Sequence, residues 1–304
     1  EMKVIISPAK KMRDLGDEIS REGESLTLPE FLADSEKIQR ALRQMDGEAL
    51  RELWKCNEKI AKLGRERLEQ FSLERCRSLD EKKQLTANTH GGRAGAEHPG
   101  PGQYRIRSRR GTSFEERYLA LCTPALLAYE GIQYQYMAPG VFEQGQWDYV
   151  QEHLRILSGF YGLLRPFDGV TPYRLEMGAR LAVDGCRDLY AFWGGKLARA
   201  LAGESGWVLD LASKEYSRAV LPHLPPSVRV VSCVFGELRP DGKVVEKGTL
   251  CKMARGEMVR YLAQIRGEEP EALRGFDRLH YTFSPEHSDE TTYVFLRQEG
   301  AKEP

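Results

Sequence analysis

The chain has little of what usually announces chemistry. Its six cysteines (Cys56, Cys76, Cys122, Cys186, Cys233 and Cys251) are scattered, and no two form a C-x-x-C pair. That spacing argues against a disulfide framework or a cysteine zinc site and suits free thiols in a reducing cytoplasm. The six histidines show no ligand spacing, so no metal is expected. No apolar run approaches the roughly 20 residues that cross a bilayer. The chain opens directly on an apolar strand, so neither a membrane anchor nor an export signal is expected, and a cytoplasmic setting is. A nucleophile elbow, a P-loop, a dinucleotide fingerprint and catalytic-triad spacing are all missing, and no cofactor is expected. Gly194-Gly195-Lys196 is not a phosphate loop, because it lies inside a helical pattern and lacks the upstream glycine. Lys+Arg and Asp+Glu are both 45, which excludes a general basic coat but permits a local basic cleft.

What is present is enough apolar material for a large core: 41% of 304 residues, with four Trp, eleven Phe and thirteen Tyr. Short apolar runs that read as buried strands occur at Val4-Ile5-Ile6, Trp207–Leu211, Val228–Phe235, Leu279–Phe283 and Tyr293–Leu296. They stand at both ends of the chain and must meet across it. The expectation is therefore one α+β domain over residues 2–297, a mixed sheet surrounded by helices. Helices are predicted from Leu28 to Met45, from Glu48 to Phe71 with a break near Lys55-Cys56-Asn57, and from Asp188 to Leu201. Pro240-Asp241-Gly242 marks a hairpin turn between Val228–Phe235 and Lys243–Lys252, with a helix from about Ala254 to Ile265. Residues 77–121 differ in character. Thr89 to Gly102 is rich in Gly, Pro and His without periodicity, and Arg105, Arg107, Arg109 and Arg110 follow as a basic cluster. The stretch holds nine Lys/Arg against five Asp/Glu. It reads as an insertion, serving either as a basic arm for nucleic acid or as a loop without a dedicated role.

The densest stretch is Leu154 to Leu181. Trp147, Val150, His153, Leu154 and Leu157 recur at spacings of three and four, which predicts a helix, and Ser158-Gly159 would stop it. Phe160-Tyr161-Gly162 makes a turn, Leu163-Leu164 resumes an apolar run, and Arg165-Pro166 closes it. This outline predicts a helix-hairpin-helix-like element whose backbone at Ser158, Gly159 and Gly162 would meet phosphate. A plain helix–loop connection is the other reading. In Pro172-Tyr173-Arg174-Leu175-Glu176, residues two apart face the same way in an extended segment. Arg174 and Glu176 then share one wall of a cleft, or form an ordinary structural ion pair. Lys10 follows the first strand directly, where ligand sites form in such sheets, unless it is a solvated loop lysine. Ser213 and Lys214 follow the Trp207–Leu211 strand in the same way.

These motifs are recognisable together. Ser158-Gly159-Phe160-Tyr161-Gly162-Leu163-Leu164-Arg165-Pro166-Phe167-Asp168 and Pro172-Tyr173-Arg174-Leu175-Glu176-Met177-Gly178 resemble the YaaA family of bacterial peroxide-stress proteins. So do Ile6-Ser7-Pro8-Ala9-Lys10, Phe192-Trp193, Ala212-Ser213-Lys214-Glu215-Tyr216 and Lys252-Met253-Ala254-Arg255-Gly256-Glu257-Met258. The resemblance implies a single mixed domain, a protective role under oxidative stress, and binding of DNA (duplex, bubble or junction) through a basic cleft and a helix-hairpin-helix. Two functions follow for these residues. In the first, Lys10, Arg165, Arg174, Lys214, Lys252 and Arg255 line a cleft that holds DNA. In the second, the same cations hold a small phosphorylated or nucleotide-like substrate and Glu176 acts as acid/base. Cleft width separates them: a duplex needs an open groove, a small substrate a narrow pocket.

Overall fold

The computed structural model describes residues 1–15, 26–74, 76 and 113–298. The described residues hold twelve strands in chain order: β1 (Met2–Ile6), β2 (Lys11–Met12), β3 (Thr123–Pro124), β4 (Tyr129–Glu130), β5 (Leu154–Ser158), β6 (Gly162–Leu164), β7 (Gly169–Val170), β8 (Trp207–Asp210), β9 (Arg229–Leu238), β10 (Val244–Val245), β11 (Tyr281–Phe283) and β12 (Thr292–Arg297). Seven of them form the path β11-β12-β9-β8-β1-β5-β6, and β10 pairs with β9. Strands β5, β1, β8, β9 and β12 run parallel, while β6, β10 and β11 join antiparallel. The fold is thus α+β around one mixed sheet, and strands from both ends of the chain meet in it.

β1 sits at the centre for a simple reason. Its five residues are apolar apart from Lys3, and all five are buried. Val4 pairs with Leu154 on one side and Leu209 on the other. After β1 the chain places β5 on one flank, then crosses back to place β8 on the other. The strand order reverses at β1, and in open α/β sheets such a reversal opens a crevice beyond the carboxyl ends of the strands.

The helices largely follow the sequence pattern. Gly47–Leu53 and Glu58–Gln70 are separate, with Asn57 capping the second by accepting from the Ile60 N–H. The predicted Asp188–Leu201 helix is two pieces, Leu189–Trp193 and Lys196–Glu204, because Gly194 adopts φ +46° between them. The helix after β10 starts at Gly248, several residues before the expected Ala254. Among the described residues no helix is long and apolar enough to cross a membrane.

The helix-hairpin-helix expectation is corrected here. The helix Gln144–His153 ends where β5 begins, and Leu154–Ser158 is a fully buried strand. Ser158 pairs with Gly162 and Ile156 with Leu164, so the glycine-rich turn joins two strands. Nor does this turn offer backbone to a phosphate. The Phe160 and Tyr161 N–H groups donate to Ser158 Oγ at 3.2 and 2.9 Å, and both rings are buried. The glycines serve packing instead. A Cβ on Gly159 would stand 2.9 Å from the Leu175 carbonyl oxygen, and Gly162 holds φ +77° against Trp193 and Leu197. Residues 77–112, including the four-arginine cluster, lie outside the described residues. At the end of that stretch Phe114–Leu119 is a helix with a capping box at Ser113 and Glu116. Its Tyr118 is buried and donates to the Gly169 carbonyl at 2.7 Å.

Candidate functional site

A cavity of about 550 Å³ lies at the crevice beyond β1 and β8. Ser7 follows β1 and Ser213 follows β8, and their side chains meet at 3.2 Å while the Ser213 N–H donates to Ser7 Oγ at 2.8 Å. Asp210, at the end of β8, shapes that turn by accepting from the Ala212 N–H and the Ser217 hydroxyl. Burial pushes the Asp210 carboxyl above its usual range.

The segment Tyr173–Glu176 makes one wall, fixed from behind by the backbone packing of Gly159. Lys10 Nζ lies 2.9 Å from Glu176 Oε1, and Arg174 Nη2 lies 3.9 Å from the same oxygen. The guanidinium also donates to the Trp54 carbonyl at 3.3 Å. The helix Gly248–Ile265 makes another wall with Lys252 and Arg255, the latter 4.0 Å from Glu246. That helix presses against Ile132–Met137, and the contact admits only glycine: a Cβ on Gly256 would fall 2.1 Å from the Gln133 carbonyl oxygen. Gly256 therefore sets where Arg255 and Gln133 stand.

The lining is mixed in sign. Lys10, Lys11, Arg174, Lys252 and Arg255 face Glu130, Glu176 and Glu215. Tyr134, Tyr173 and Tyr216 add hydroxyls. Burial raises all three phenols, Tyr173 to about 12, so they are neutral donors near pH 7. Three N–H donors of the lining are buried without an acceptor: Gln133 Nε2, Arg174 Nε and Arg255 Nε. An unmet buried donor costs about 1–3 kcal/mol, more when charged, and the same cavity also holds an acceptor without a hydrogen-bond donor, Glu176 Oε1, beyond its ion contact with Lys10.

Of the residues expected in the cleft, Lys10, Arg174, Glu176, Lys252 and Arg255 are brought together. Arg165 is not: it pairs with Glu204, which also holds the buried Arg155 at 2.8 Å, beside a separate open depression. Arg165 and Arg174 therefore do not face a shared cleft. Lys214 is exposed and does not line the cavity. Ser158, Gly159 and Gly162 are structural neighbours of the site, with Ser158 fully buried behind Tyr173. Sequence reasoning missed Gln133, Tyr134 and the place of Tyr173 in the cavity lining. The only local signal was that Tyr173 adjoins Arg174.

The cysteines stand apart from this chemistry. Cys122, Cys233 and Cys251 are buried, and burial raises their thiols, Cys251 to about 12.

Comparison with known proteins agrees with the motifs. A family profile described as peroxide stress protein YaaA matches residues 2–93 and 103–287. A UPF0246 protein of Desulfitobacterium hafniense is 42% identical over 296 residues, covering 97% of this chain and 98% of its own. UPF0246 proteins of Lachnoclostridium phytofermentans and Pediococcus pentosaceus are 40% and 41% identical over 298 residues, each covering 98% of this chain and 97% and 99% of their own. The chain belongs to the YaaA family of peroxide stress proteins.

Proposed function

We propose that this peroxide-stress protein works through the cavity beyond β1 and β8, and that the cavity takes a small phosphorylated or nucleotide-like anion. The observation that carries this reading is the set of unmet donors, Gln133 Nε2, Arg174 Nε and Arg255 Nε, on one cavity that also holds Lys10 and Lys252. About 550 Å³ lies within the range of small-molecule sites. Phosphate oxygens suit the donors, because guanidinium and ammonium groups bond them strongly and a partly enclosed site strengthens the attraction. Glu176, at 2.9 Å from Lys10, is the group placed for acid–base work if the ligand reacts. The helix-hairpin-helix expected to grip DNA is absent among the described residues, since the glycine turn is a buried β-hairpin.

Calorimetric titration with nucleoside mono-, di- and triphosphates, beside duplex, bubble and junction DNA over a salt series, tests this. A nucleotide should bind, and Arg174→Ala should weaken it. Binding of DNA alone, unaffected by Arg174→Ala and Arg255→Ala, would overturn the reading.

A further inference from the structure

Three hydroxyls meet behind the cavity wall, and counting their protons gives the cluster a direction. Ser158 Oγ is fully buried and accepts from two backbone groups, Phe160 N–H at 3.2 Å and Tyr161 N–H at 2.9 Å. A hydroxyl oxygen has two lone pairs, and both are then filled. Its own proton must go to Tyr173 Oη, 2.6 Å away. Tyr129 is 2% exposed, and its Oη lies 2.9 Å from Tyr173 Oη. Two other hydroxyls stand near it: Ser158, which has no lone pair left, and Tyr134, which makes no hydrogen bond to it. If Tyr173 donated to Tyr129, the Tyr129 proton would be buried without an acceptor. If Tyr129 donates, every buried proton is placed. Both bonds then converge on Tyr173 Oη.

Tyr173 lines the cavity with Tyr134 and Tyr216. Tyr134 spends its proton on the Ser7 carbonyl at 3.0 Å. Tyr173, with both lone pairs taken from behind, has its proton left over. Resting on the site reading above, we propose that Tyr173 is the neutral donor of the ligand site, holding its proton toward an acceptor oxygen of the bound anion. The two accepted hydrogen bonds polarise the phenol, and hydrogen bonds in such a chain strengthen one another. The oxygen is also closed as an acceptor. A ligand that presents an N–H or O–H at this point is therefore rejected, and one that presents a phosphate or carboxylate oxygen is favoured.

Two measurements decide it. Neutron diffraction from exchanged crystals of the unaltered protein should show deuterium from Ser158 and from Tyr129 both directed at Tyr173 Oη. Deuterium running from Tyr173 to Tyr129 would overturn the proposal without reference to any ligand. Titration with adenosine 5′-monophosphate and with inorganic phosphate should show about 10- to 100-fold weaker binding by Tyr173→Phe. Equal binding by Tyr173→Phe and the unaltered protein would overturn this proposal alone. Failure of the unaltered protein to bind either probe would overturn this proposal and the ligand class it rests on together.

Discussion

Replacing Arg174 by alanine separates a ligand-binding group from a structural one. Its side chain is 16% exposed and holds the Trp54 carbonyl at 3.3 Å. That bond contributes about 0.5–1.5 kcal/mol net, somewhat more because the donor is charged. The contact with Glu176 is long, 3.9 Å, and Glu176 keeps Lys10 at 2.9 Å after the substitution. Because both partners remain partly in water, the pair adds only about 0–1 kcal/mol. The variant also removes the buried Nε that has no acceptor, which offsets part of this, so stability should fall by no more than about 1–2 kcal/mol, or a few degrees in melting temperature for a domain of this size. Anion affinity should fall by about 1.5–3 kcal/mol, the range for a hydrogen bond to a charged group. Arg174→Lys should keep the charge, lose the planar fork, and recover only part of the affinity. Chemical denaturation and calorimetry read the two effects separately. A loss of about 3–5 kcal/mol in stability, with unchanged affinity in the folded fraction, would mark Arg174 as the partner of an otherwise stranded buried charge and refute the assignment.

Arg165→Ala should leave ligand affinity unchanged and cost about 0–1 kcal/mol, since Arg165 is half exposed and Glu204 retains Arg155; a fall in affinity would place Arg165 back in the site. Gly256→Ala should destabilise by about 1–3 kcal/mol in urea titration and weaken anion binding as well, because the new methyl group meets the Gln133 backbone. Burial raises the Asp168 carboxyl to about 6 from an ordinary value of 3.8. Between those pH values the folded state binds more protons than the unfolded one. Asp168 should thus favour folding increasingly as pH falls from 6 toward 4, and Asp168→Asn should flatten that part of the stability–pH curve. Cys122 and Cys233 should resist iodoacetamide in the native protein and react on unfolding; rapid native labelling of either would reopen a thiol-sensing role.

The sheet was legible because its central strands are nearly all apolar. Val4-Ile5-Ile6 and Trp207-Val208-Leu209 have no polar face to present to water, so each had to be buried on both sides, and adjacent places in one sheet satisfy both. The serines that follow these two strands then meet at the same edge, 3.2 Å apart. Lys10 and Arg174 were found by the same logic, since strand ends and extended segments restrict where side chains point. The helix read through Leu157 failed for a reason equally local. The real helix ends at His153, and Leu154 and Leu157 continue its spacing by coincidence. A short apolar run is compatible with a buried helix or a buried strand, and periodicity alone does not choose. What chooses is the pairing of Leu154 with Val4, across nearly half the chain.

The cavity's finer chemistry was hidden by a different obstacle. Gln133 and Tyr134 belong to a short helix far in sequence from Arg255, and only the absent side chain of Gly256 brings them together. A glycine inside an 18-residue helix reads as a weakness, worth roughly 1 kcal/mol against alanine. Here it allows close approach of two helices, and the energy lost in propensity is offset by packing that fixes Arg255. Gly159 does the same for the backbone of Leu175 and Glu176, and Gly178 for Glu215, whose carboxylate accepts from the Gly178 N–H at 2.8 Å. The glycines of the central motif were read as places where a phosphate approaches the backbone. They are places where protein approaches protein, and the cavity lies on the far side of the wall they hold in position.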